Sequence, residues 1–198
     1  MNDFRANREP LVPAGGADLH AGDMSATFAA DVTLRAAQER LRALDQWLPV
    51  DGDPDLPLGA LVERNSTGPL RLGYGAWRDL LLGTQFTNGR GELITAGGRT
   101  VKNVAGYDLT KFMVGQRGVF GKLTTITTRL YKRPAGAILT TFAPNPRLIG
   151  RLLPSTARPQ WALLTGNALL CGYVGDERTI VVPQRELLQP DAVPPHPC

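Results

Sequence analysis

Apolar positions recur along this chain at two spacings. Leu34, Ala37, Leu41 and Leu44 follow one another at three, four and three positions, with Arg35, Glu39, Arg40 and Arg42 between them. That pattern predicts an amphipathic helix with Thr33 as its N-cap. Pro57 followed by Leu58–Arg64 predicts one or two further helical turns, because proline suits the first turn of a helix. Leu109, Phe112 and Met113 fall on one face of a short helix that Asp108 can cap and Gly115 can stop. Strand signals are denser. Ser25–Ala30 reads as a short strand. Leu80–Thr87 and Glu92–Ala96 read as two strands joined through Asn88-Gly89, a hairpin signature. Leu123–Tyr131 carries four threonines and one isoleucine, residues that suit a pleated surface.

Punctuation by glycine and proline sets the remaining organisation. Leu11–Gly16 reads as the end of a strand running into a glycine turn, and residues 51–57 and 65–75 read as loops. Lys132-Arg133-Pro134 breaks the threonine-rich strand and marks a domain boundary. Beyond it the pattern predicts a strand over 137–142, a helix over 146–153 capped by Asn145, and a hairpin of 161–165 and 168–174 turning at Gly166-Asn167. Residues 190–198, with four prolines and no apolar pattern, read as a disordered tail. No internal repeat is present.

Composition narrows the class. Over 198 residues, 42% are hydrophobic and 20% charged, values with which one domain, or one with a small appendage, can bury a core. Pro159–Gly175 is the longest uncharged stretch, and Gln160, Gly166, Asn167 and Gly172 make it too short and too polar to span a bilayer. Asp3, Arg5, Arg8 and Glu9 are followed by no apolar run, so no signal peptide is read. The net charge of +4 is spread without a run of five like charges, which fits a solvated surface and not a nucleic-acid partner. Cys171 and Cys198, with only His20 and His196, give neither a disulfide framework nor a metal site. Asn65-Ser66-Thr67 matches a glycosylation acceptor and, with no secretory signal, is read as chance.

Three glycine clusters carry the candidate chemistry: Gly15-Gly16, Gly68/Gly73/Gly75, and Gly115/Gly118/Gly121. Glycine lets main-chain N–H groups approach a ligand closely, and nests of such groups bind phosphate without lysines. The spacing matches neither a Rossmann fingerprint nor a Walker loop. Each cluster alone also reads as an ordinary turn.

The run Gly98-Arg-Thr-Val-Lys-Asn-Val-Ala-Gly-Tyr-Asp-Leu-Thr-Lys-Phe-Met-Val-Gly115, followed by Gln-Arg-Gly-Val-Phe-Gly121, resembles the glycolate-oxidase type of FAD-binding subunit in the PCMH-type (vanillyl-alcohol-oxidase-like) flavoprotein family. Trp47-Leu-Pro-Val-Asp51, Leu58–Gly68 and Tyr74-Gly75 extend the resemblance, and Val12-Pro-Ala-Gly-Gly16 is similar to the family's pyrophosphate loop. It covers residues 10–133 well and 134–189 weakly.

The resemblance implies an α+β fold: a PCMH-type FAD-binding domain over residues 1–133, shortened at its N-terminus, then a truncated α+β substrate-side segment over 134–189. It implies that Pro13, Ala14, Gly15, Gly16 and Ala17 cradle the pyrophosphate. Pro49, Gly59, Asn65, Ser66, Gly68 and Gly75 would line the ribityl and isoalloxazine channel, and Gly118, Gly121 and Leu123 would meet the adenine end. FAD is expected to be non-covalent, since the sequence around His20 does not match relatives that attach flavin to histidine. Tyr107 and Asp108 are read equally as packing and capping residues or as ligand contacts. No catalytic acid or base is assigned.

The implied activity is an FAD-dependent oxidoreductase subunit that accepts a hydride from a 2-hydroxy acid. It would pass electrons to a larger FAD subunit and an iron–sulfur subunit. The expected location is cytoplasmic, with peripheral association to an inner membrane through those partners. Ala17 and Asp18 replace a glycine and a small hydroxyl residue of the family pattern. Ala60, Arg117 and Lys122 also depart from it, the first strand–helix unit is largely missing, and Pro183 interrupts an expected helix. These departures motivate the alternative, a non-catalytic assembly or relic subunit with weak or no FAD binding.

Overall fold

The computed structural model describes residues 5–6, 9–98, 109–175, 180 and 182. Lys102, Tyr107, Asp108 and the expected tail lie outside them. The chain divides into two compact units, one of residues up to 68 with 75–133, the other of 69–74 with those from 134 onward.

The first unit is built on a six-stranded antiparallel sheet. In chain order its strands are β1 (Arg5–Ala6), β2 (Ala17–His20), β3 (Ser25–Ala29), β5 (Leu81–Thr87), β6 (Leu93–Gly97) and β7 (Lys122–Arg129), arranged β1-β6-β5-β7-β3-β2. Helices α1 (Leu34–Arg42) and α2 (Leu58–Arg64) belong to the same unit. The core joins Phe28, Phe86 and Ile126 of the sheet to Leu34, Ala37 and Leu41 of α1 and Leu58, Leu61 and Val62 of α2. Thr33 caps α1 as expected, its Oγ1 accepting from Ala36 N at 3.2 Å, an interaction worth about 1 kcal/mol. Leu44 lies past the helix end and is 37% exposed.

Alternate strand positions carry a polar layer that is also buried. Thr27 and Thr127 hydroxyls bond each other at 2.8 Å, Gln85 Nε2 donates to Thr95 Oγ1 at 2.9 Å, and Thr125 Oγ1 donates to Gln85 Oε1 at 3.2 Å. Threonine supplies the β-branched shape a strand favours, and the mutual bonds remove the cost of burying its hydroxyl. This explains how the threonine-rich segment becomes the central strand β7.

Several sequence expectations need adjustment. No strand runs through Leu11 and Val12; Pro13–Gly16 forms the expected turn, closed by Gly16 N donating to Pro13 O at 2.8 Å, and a strand begins after it at Ala17. The β5–β6 hairpin forms, but not as a two-residue Asn-Gly turn. Asn88 Oδ1 accepts from Arg90 N and Glu92 N, and the left-handed residue is Gly91 at φ +80°. Residues 71–74 and 77–80 within and beside the expected loop form single helical turns, α3 (Arg71–Tyr74) and α4 (Trp77–Leu80). In α5 (Leu109–Phe112), Phe112 is 54% exposed while Thr110 and Met113 are buried. The strand expected through Tyr131 stops at Arg129, and β8 (Tyr131–Lys132) pairs separately with β4 (Gln46–Trp47).

In the second unit, β9 (Gly136–Phe142), β10 (Trp161–Leu164) and β11 (Leu169–Gly175) form an antiparallel sheet in the order β10-β11-β9. Helix α6 (Pro146–Leu152) starts at Asn145, whose side chain accepts from Arg147 N at 3.0 Å. Leu148 and Leu152 pack with Leu169, Cys171 and Tyr173. Trp161 pairs with Gly172, where a Cβ would collide with the indole ring.

Candidate functional site

A cleft of about 520 Å³ lies in the first unit. Its lining comes from four separated stretches of chain: Pro10, Val12 and Ala14; Ala29–Asp31; Pro57, Gly59, Ala60 and Glu63; and Thr87 with Lys122–Thr124. The end of strand β3 delivers Ala29, with Ala30 directly after it, and the first turn of α2 delivers Gly59 and Ala60. These lining residues are small. Gly59 N donates to Ala30 O at 2.8 Å, and a Cβ on Gly59 would lie 2.9 Å from Ala30 Cβ. Glycine there lets α2 close onto β3, and the cleft opens beside that contact.

Of the residues expected to hold a dinucleotide, Ala14, Gly59 and Leu123 come together around this cleft. Pro13 and Gly16 close the turn next to Ala14. Gly15 stands at φ +68°, with nothing within 4 Å of where a Cβ would be. Its N–H donates to both carboxylate oxygens of Asp31, at 2.8 and 3.1 Å, and its carbonyl accepts from Arg40 Nη2 at 2.9 Å. Ala17 is already part of β2, paired with Phe28.

The other expected residues lie elsewhere in the first unit. Pro49 is buried beside Leu48 and does not line the cleft. Asn65 ends α2 in a left-handed conformation, φ +50°, and its Oδ1 is buried without a hydrogen-bond partner among the described residues. Ser66 N donates to Leu61 O at 2.9 Å. Gly68 and Gly75 face Asp51 and Asp79 closely enough to exclude a side chain. Gly118 is open at φ +83°, whereas a Cβ on Gly121 would collide with Thr87 O.

The cleft's charged groups are Asp31, Glu63 and Lys122. Glu63 Oε1 accepts from Leu123 N at 3.4 Å. Sequence reasoning missed Asp31, Ala30 and Glu63. Asp31 stands 16 residues from the glycine it meets, and nothing in its neighbourhood of Ala-Ala-Asp-Val-Thr marks it except the helix start that follows.

The chain matches no model of a known protein family. The fold, however, has the α+β character expected from the sequence and is shared with solved alkyldihydroxyacetonephosphate synthases. A solved alkyldihydroxyacetonephosphate synthase superposes with a TM-score of 0.64 at 16% identity, over 81% of this chain and 36% of that one. Sequence relatives are more specific. Glycolate oxidase subunit GlcE of Escherichia coli (strain K12) is 36% identical over 107 residues, 54% of this chain and 31% of the relative. The mitochondrial D-lactate dehydrogenase [cytochrome] of Arabidopsis thaliana is 29% identical over 121 residues, 61% of this chain and 21% of the relative. The chain is thus similar in sequence to a glycolate oxidase subunit and a D-lactate dehydrogenase, and spans less than a third of either curated relative's length.

Proposed function

We propose that this chain is the flavin-binding part of a glycolate-oxidase-like oxidoreductase acting on a 2-hydroxy acid. The observation that carries the proposal is the convergence of Ala14, Gly59 and Leu123, from three separated stretches, on one cleft in a chain similar in sequence to glycolate oxidase subunit GlcE. One feature favours a fit: the cleft wall is built from residues small enough to admit an extended ligand. One feature opposes it at the glycine turn, where Asp31 already takes the Gly15 N–H.

In this reading Ala14, Gly59 and Leu123 hold FAD by main chain and small side chains, with Pro13, Gly15, Gly16 and Ala17 at its diphosphate. Gly118 and Gly121 stand near its adenine end, and Asn65, Ser66, Gly68, Gly75 and Pro49 belong to the remainder of the channel. Bound flavin would supply the hydride-accepting chemistry. The protein's part is to exclude water and fix the cofactor. Residues 1–133 form the cofactor domain and 134–189 part of the substrate side, with electrons leaving to a larger flavin subunit and an iron–sulfur subunit. No helix among the described residues is long and apolar enough to cross a membrane, so membrane association would come through those partners.

The test is titration of the purified chain with FAD, followed by absorption and thermal unfolding. Binding at one hundred times Kd adds about 2.7 kcal/mol of stability. A colourless protein with no thermal shift at saturating FAD favours the second reading, an assembly subunit without flavin, which the Asp31–Gly15 contact also supports.

A further inference from the structure

We propose that Asp31 is an internal competitor of the ligand's diphosphate and so sets how strongly this cleft holds a phosphorylated flavin. The inference rests on the flavin reading above. It begins with the turn at 13–16, where Gly15 adopts a left-handed conformation and turns its N–H toward Asp31. Both oxygens of that carboxylate lie on the one donor, at 2.8 and 3.1 Å. Arg40 holds the following peptide of the same residue through Gly15 O at 2.9 Å, and Ala29 N ties Gly16 O to the end of β3 at 3.0 Å. The turn is thereby fixed with an anion already in place.

A carboxylate and a phosphate oxygen make the same kind of charge-assisted bond to a backbone N–H. One donor cannot serve both fully. Asp31 also lines the cleft together with Ala14 and Gly59, so an incoming diphosphate meets a like charge as well as an occupied donor. The other acid of the cleft, Glu63, is directed at Leu123 N, and Lys122 is the cation that lines it. A diphosphate must displace Asp31 from Gly15, whereas a flavin lacking phosphate has no reason to do so.

The experiment compares FAD with riboflavin on the full chain, by fluorescence titration at low ionic strength, for the native protein, Asp31→Ala, Asp31→Asn and the control Asp55→Asn. Asp55 pairs with Arg35 on the surface, so its replacement removes an equal charge without touching the turn. Asp31→Asn preserves the shape of the side chain should Asp31→Ala destabilise the turn. The expected result is FAD affinity raised about tenfold in both Asp31 variants, equivalent to ~1.4 kcal/mol, with riboflavin affinity and the control unchanged. FAD bound by the native chain but no more tightly by either Asp31 variant overturns this proposal and leaves the flavin reading standing. Equal tightening of FAD and riboflavin also overturns it. Failure of native and variant proteins alike to bind either flavin overturns both.

Discussion

Strand β3 of the first unit is buried at every residue, whereas β9 of the second alternates between half-buried and exposed along its whole length. The difference lies in what each sheet does with its second face. In the large sheet the alternate positions carry threonine and glutamine, whose side chains bond one another and tolerate burial. In the small sheet Leu139 and Leu163 remain 59% and 45% exposed, and the buried side belongs to the cluster around Leu152 and Tyr173. Hydrophobicity alone would have ranked the two the other way. A row of threonines became the interior of one sheet, while leucines line the open side of another.

The largest test of this contrast is Phe28→Ala. Phe28 is fully buried, and truncation of such an aromatic should cost about 3–5 kcal/mol. Hydrogen exchange read peptide by peptide should show protection falling across β3, β7 and β5 while α6 and β11 keep theirs. Equal loss in both units would mean that they unfold as one. Leu152→Ala is the reciprocal change, at about 2–5 kcal/mol, with the loss confined to β9–β11.

Alkaline pH should separate the units next. Burial raises the pKa of the Cys171 thiol and of the Tyr173 phenol above their ordinary values, and both sit in the second unit. A raised pKa means that the folded state holds its proton more firmly than the unfolded chain does. The associated stability is complete below the unfolded pKa and declines as pH rises beyond it, from about pH 8.5 for a thiol. Exchange protection in β11 should therefore decline above that point and be restored in Cys171→Ser to the extent that the thiol is responsible. The smallest expected effect is that of Leu139→Thr, within about 0.5 kcal/mol by thermal melting, as for an exposed site. A cost above 2 kcal/mol would show that this face is covered in solution.

Much of the fold was legible because local signals and tertiary packing agree. Thr33 caps α1, Asn145 caps α6, and the Trp161–Val174 region folds back as a hairpin. Legibility failed where two distant segments decide the outcome. Phe112 shares a helical face with Met113 by spacing, yet only Met113 is buried, because a four-residue helix is oriented by its neighbours and not by its own periodicity. The hairpin's Asn-Gly pair predicted a tight turn. The Asn88 side chain instead bonds Arg90 N and Glu92 N, moving the left-handed residue to Gly91. At the cleft, the family resemblance pointed to Gly59, but the carboxylate at Gly15 comes from beyond an intervening hairpin and leaves no mark in local sequence.

Trp161 rests on Gly172, its directly opposed residue across the β10–β11 pair. A bare strand position thus borrows the surface area of an aromatic ring from its neighbour, a substitute for the contact its own missing side chain would have made. The outermost strand is consequently fastened at one end by an indole clasp as well as by its ladder of amides. Peeling that strand must lift the ring into water, so tryptophan emission should report fraying at this margin before the rest of the sheet has moved.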